Sequence, residues 1–142
     1  MRGDPLPDSA HVTRLCGLAQ LNEAGHPEAS AFILKHGEQY LSVNWLEHLG
    51  LPDRKAEIIE VLRVLATKRT VPAQAKLALL NVGRARRTVR QKTVDQLEIA
   101  FLHEPEDHPS DPSHSGIYHL PPHDNTAAEL LAMSVEQLYP TR

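Results

Sequence analysis

The chain has 142 residues, a net charge of -3 and a single cysteine, with 41% of its residues hydrophobic. That length matches one domain able to bury a core without staples, and the apolar content is enough to fold it. The mild negative charge excludes a strongly basic nucleic-acid binder, and one cysteine excludes an internal disulfide, which favours a reducing compartment. The opening MRGDPLPDSAHVTRLCG lacks an apolar run of signal-peptide length, and no stretch approaches transmembrane length. These features place the expectation in the cytoplasm, with no membrane contact. Arginine exceeds lysine ten to five, and alanine, proline and histidine are plentiful, a bias expected of a GC-rich bacterial genome.

Residues 1–9 are rich in proline and poor in apolar side chains, and read as a flexible N-terminal arm. Residues 10–142 read as a single α+β domain. A short strand is expected from Ala10 to Cys16. ASAFILK (29–35) and QYLSVNWLE (39–47) flank His36-Gly37-Glu38 and predict a hairpin around a glycine turn. In the second run Leu41, Val43 and Trp45 alternate with Tyr40, Ser42 and Asn44, so one face meets the core and the other is polar. A helix over about 53–68 places Ile58, Val61, Leu62 and Leu65 on one stripe, with Asp53 as its N-cap.

KLALLNV (76–82) has the character of a buried strand ended by Gly83, followed by a short helix in RARRTVRQK. Leu97, Ile99 and Phe101 alternate as a further strand. Residues 103–125 form a His/Pro-rich loop. Thr126-x-x-Glu129 has the spacing of a capping box and predicts a last helix, with Leu131, Val135 and Leu138 on one stripe. The fold class that follows is α+β: a mainly antiparallel or mixed sheet of about five short strands, packed by two to three helices.

The net charge conceals a segregation. Residues 1–67 carry -3, residues 68–92 carry +8 and residues 93–142 carry -8. Arg84, Arg86, Arg87, Arg90 and Lys92 are the candidate anion- or partner-binding patch, because guanidinium groups pair bidentately with phosphate and carboxylate. On a helix, Arg86 and Arg90 share a face. No aromatic residue is interleaved in 68–92 to stack bases, and the acidic C-terminal third is the nearest counter-charge.

The 103–125 segment holds His103, His108, His114, His119 and His123 among acidic residues, and imidazole with carboxylate is a ligand set for zinc, manganese or iron. Of these, His103, His108 and His114 are the metal candidates. Their spacing matches no metal motif, so no metal and no other cofactor is expected. Asp111, His114 and the serines around it invite a triad reading, but neighbours in sequence rarely point at one another as a triad requires.

His11, Thr13 and Arg14 are the catalytic candidates. His11 and Thr13 share one side of a strand. His11-Val12-Thr13 resembles half of the paired H-x-[ST] arrangement of the two-histidine phosphoesterases. The nearest second half, His108-Pro109-Ser110, departs from that pattern, and no family is assigned on two tripeptides. The polar face of Tyr40, Ser42 and Asn44 would line a pocket with His11 or Arg14 if the strands are neighbours.

With no complete catalytic set, the sequence is read as a non-enzymatic interaction or accessory protein. Its expected place is a bacterial complex, and its partner is expected to be another protein, met through segregated basic and acidic surfaces. The alternative is a small phosphate-handling enzyme or RNA-binding protein using His11, Thr13, Arg14 and the 84–92 arginines, with nucleic acid as the partner in the RNA case.

Overall fold

In the computed structural model, which describes residues 2–142, the strands are β1 (His11–Cys16), β2 (Leu41–Trp45), β3 (Lys76–Asn81), β4 (Ala100–His103), β5 (Glu106–Asp107), β6 (Ser110–Asp111), β7 (His114–Tyr118) and β8 (Gln137–Pro140). The α-helices are α1 (Arg54–Lys68), α2 (Val82–Lys92) and α3 (Asn125–Met133). Six strands form one antiparallel sheet in the order β4-β7-β2-β1-β3-β8, and β5-β6 is a separate small hairpin. This is the expected α+β class: an antiparallel sheet with three helices among the described residues.

The alternation of side chains along the strands builds two cores. On one face Val12, Leu41, Val43, Leu80, Phe101 and Ile117 pack with the apolar sides of α2 and α3. On the other, Leu77 and Leu79 meet Ile58, Val61 and Leu65 of α1. The α1 stripe therefore does what its spacing predicts, and Asp53 Oδ1 accepts the Ala56 N–H at 2.8 Å as its cap. No helix among the described residues is long and apolar enough to cross a membrane.

Several boundaries differ from the sequence expectation. Residues 29–35 are not the first strand of a hairpin. Ala29–Phe32 is a 3-10 turn whose Ala31 and Phe32 drop into the core, so the alternation of strand pairing is never needed. Gly83 does not end β3. The strand stops at Asn81, whose side chain accepts the Arg84 N–H and caps α2, and Gly83 lies in the first helical turn. A Cβ there would sit 2.8 Å from Asp8 Cβ, so glycine is what lets the N-terminal segment lie against the helix.

That segment, expected as a flexible arm, runs along β4. Gly3 N donates to His103 O at 2.6 Å, His103 N to Asp4 O, and Leu6 N to Phe101 O, while Leu6 itself is buried. It covers an edge that would otherwise expose unpaired backbone.

The largest correction concerns 103–125. His114–Tyr118 is not loop but β7, an inner strand between β4 and β2. Gly116 is a site of close approach: a Cβ there would lie 2.5 Å from the Tyr40 ring, which stacks on Tyr118 with centroids 4.9 Å apart. At the C-terminus, Asp124 rather than Thr126 caps α3, and the helix ends at Met133. Ser134 Oγ donates back to Leu130 O at 2.7 Å there, so Leu138 belongs to β8 and not to a helical stripe.

Cys16 closes β1 inside the first core, and burial pushes its thiol up to about 11 against the opposing pull of Arg14. Thiolate is the reactive form. Native protein at pH 8 should therefore give almost no colour with Ellman's reagent, and one full equivalent after unfolding in urea. Rapid native labelling would contradict the packing of β1.

Candidate functional site

β1 and β2 pair only at Val12 with Trp45 and at Thr13 with Asn44, and then separate. The Arg14 guanidinium fills the gap, Nη1 donating to Ser42 O at 2.8 Å and Nε to Ala31 O at 2.6 Å. Burial lowers its pKa, yet two carbonyls accept from it and it remains a cation. Over this divergence opens a cleft of about 970 Å³, between the C-terminal end of α1 and the β5–β6 hairpin. Thr13, Ser42, Asn44, Lys68, Glu106 and His114 are among its walls, and Arg2, Arg14, Arg69 and His108 also border it.

One ion cluster holds the walls together. Lys68 Nζ lies 2.5 Å from both Glu106 Oε1 and Asp111 Oδ2, and the Asp111 side chain has no exposed surface. Asn44 Nδ2 donates to the other oxygen, Asp111 Oδ1, and to Ser113 Oγ, both at 2.9 Å. For Lys68, burial works against the charge, but hydrogen bonds to Asp111 and Glu106 win and raise its pKa above the usual lysine value. Glu106 is likewise disfavoured by burial, but Lys68 and His114 carry its pKa below the ordinary carboxylate range.

His114 sits beside this cluster, buried on β7. Its Nδ1 is 2.7 Å from Glu104 O and its Nε2 is 3.2 Å from Ser42 Oγ. Glu106 Oε2 lies 3.9 Å from the same Nδ1, and the Tyr40 ring packs edge-on at 5.9 Å between centroids. Thr13, buried in the sheet floor, has a hydroxyl with no hydrogen-bond partner among the described residues.

The sequence candidates are divided by the fold. Thr13 and Arg14 reach the cleft, whereas His11 is not among its walls: Glu47 accepts its backbone N–H and holds its Nδ1 at 2.8 Å. Ser42 and Asn44 of the polar face line the cleft with Arg14. The metal candidates are spread apart in role. His103 is bound to Pro112 O at 2.8 Å and packs among Trp45 and His48, His108 lies in the exposed hairpin turn, and His114 faces the cleft. Among the described residues no three His, Cys, Asp or Glu side chains are grouped so as to hold a metal ion.

The basic candidates lie on α2, away from the cleft walls. Arg84 meets Glu136 at 3.1 Å, Arg86 meets Asp8 at 3.1 Å, and Arg86 and Arg90 both approach Glu98, at 4.0 and 3.5 Å. Arg87 and Lys92 make no ion pair within 4.0 Å among the described residues.

Sequence reasoning missed Lys68, Glu106 and Ser113 as site residues, and did not join Ser42 to His114. The one available signal was the faint alternation of His114, Gly116 and Tyr118 with Ser115 and Ile117. Comparison with protein-family models, with curated proteins and with solved structures finds no match.

The pH response follows from the shifted groups. The lowered Glu106 contributes stability that is present above the unfolded carboxylate pKa, about 4.3, and is lost as pH falls through its folded value. The raised Lys68 contributes below the unfolded lysine value, about 10.4, and its contribution fades as pH rises through the folded one. Urea midpoints of the native chain and Glu106→Gln should differ above about pH 5 and converge as pH falls through the folded Glu106 value. A difference that persists into acid would show that the Glu106 charge is not what the contact uses.

Proposed function

We propose that the chain is an interaction or accessory protein whose working surface is the cleft over the β1–β2 divergence, and that its partner is an acidic segment of another protein. The observation that carries this reading is the buried, unpartnered hydroxyl of Thr13 at the cleft floor. A buried hydroxyl left unpaired costs about 1–3 kcal/mol, and an arriving polar group offsets that cost. Arg14 and Arg69 both border the cleft and are close enough to act on each other's charge, which favours an anionic guest. The α2 arginines are weaker candidates for docking, since three of them are engaged with Asp8, Glu98 and Glu136.

A second reading keeps phosphate as the guest, because Thr13 and Arg14 offer a hydroxyl and the edge of a guanidinium to any oxyanion. In that reading His11 has no part. A heteronuclear NMR titration with a glutamate-rich hexapeptide and, separately, with inorganic phosphate distinguishes the two. The peptide should shift the amide signals of Thr13, Ser42 and Arg69 and leave α2 unmoved. Shifts at those residues with phosphate alone favour the second reading. Shifts confined to α2, or none with either probe, would overturn the assignment of the cleft.

A further inference from the structure

Ser42 lies on the polar face of β2, exposed in the cleft, and its hydroxyl meets His114 Nε2 at 3.2 Å. The opposite ring nitrogen decides what that contact means. His114 Nδ1 lies 2.7 Å from Glu104 O, and a carbonyl only accepts, so Nδ1 carries the hydrogen. In the neutral ring Nε2 is then the lone-pair nitrogen, and the Ser42 hydroxyl donates to it. Behind Nδ1, 3.9 Å away, stands the carboxylate of Glu106, placed to stabilise a proton taken up by the ring. The ring is buried and flanked by Tyr40, so its aim is fixed. A hydroxyl, a base that faces it and groups that orient the base are the parts of an activated nucleophile.

We propose that Ser42 and His114 form a nucleophile–base pair acting on carboxylic esters that carry an anionic group. The inference rests on the cleft being the working surface and adds covalent chemistry to binding. Ser42 Oγ attacks the ester carbonyl carbon while its proton passes to His114 Nε2. The bond from carbonyl carbon to alcohol oxygen breaks, and the alcohol departs with that proton. Water then gives a proton to Nε2 and adds its oxygen to the acyl carbon. The bond to Ser42 Oγ breaks, Oγ recovers the proton, and ester plus water has become acid plus alcohol.

The oxyanion that develops at the carbonyl oxygen needs a hydrogen-bond donor. Among the cleft walls the third proton of Lys68, whose other two go to Glu106 and Asp111, is such a donor. Arg69, exposed at the cleft edge near Arg14, selects the anionic group.

A fluorophosphonate reagent tests the pair without knowledge of the natural ester. Displacement of fluoride would form a Ser42 Oγ–P bond, read as one adduct by intact-mass spectrometry and placed by peptide mapping. The native chain should take one equivalent, Ser42→Ala none, and His114→Gln should label at least about 100-fold more slowly, the lower end of what a general base supplies. Ser42 is exposed, so its alanine variant should stay folded, and it carries the test if His114→Gln fails to fold. No adduct, or an adduct that survives Ser42→Ala, would overturn the proposal. The p-nitrophenyl ester of succinate should be hydrolysed faster than that of acetate, an advantage lost in Arg69→Ala; equal rates in the native chain would overturn the anionic class. Peptide-induced shifts in the cleft without any adduct would leave the binding reading standing and remove the chemistry.

Discussion

A carboxylate with no access to solvent must be paired or it cannot stay charged, and Asp111 is such a group. Its two oxygens are met from opposite directions, one by Lys68 at the last residue of α1, the other by Asn44 in the middle of the sheet. Those bonds tie a helix end, a strand and the β5–β6 hairpin to a single point. The cleft exists because the hairpin is held at that distance from the sheet, with Glu106 as a second contact to Lys68. Replacing such a cluster with apolar side chains of equal volume often stabilises a protein.

The same cluster sets the electrostatics of its neighbours. Lys68 keeps Glu106 ionised, and Glu106 faces the protonated nitrogen of His114, whose other nitrogen faces Ser42. The chain of contacts therefore runs from a fully buried anion to an exposed hydroxyl across three separate parts of the sequence. On the opposite side of the sheet the core is almost wholly apolar, and the α2 arginines lie beyond it in pairs with surface acids. Exposed pairs of that kind contribute little energy, so their effect falls more on the field around α2 than on stability.

Sequence patterning located what depends on periodicity. The α1 stripe, the Asp53 cap and the alternation of Leu41, Val43 and Trp45 all stand, because each is a local property of hydrophobic spacing. β7 was hidden for a physical reason. Its cleft side is histidine, glycine and tyrosine, its core side is serine and isoleucine, and its flanks are rich in proline, so it carries the composition of a loop. The glycine that looks like a breaker is there to admit the Tyr40 ring. The candidate site was half visible: Thr13, Arg14, Ser42 and Asn44 stood out as a polar group near the chain's first strands, and all four line the cleft. Lys68, Glu106 and Asp111 could not be joined to them, since only the tertiary pairing of α1 with the hairpin brings these charges together.

Lys68 and Asp111 hold the hairpin over the sheet, and hydrogen–deuterium exchange measured on Lys68→Met beside the native chain tests that directly. Removing one partner of a buried pair costs about 3–5 kcal/mol by leaving a charge unmet. Exchange should therefore accelerate across 104–113 and at the C-terminal turn of α1, while β3 and α2 keep their native protection in conditions where the variant remains folded. Unchanged exchange across 104–113 would mean that the hairpin is held by something else, and the cleft would lose its physical basis.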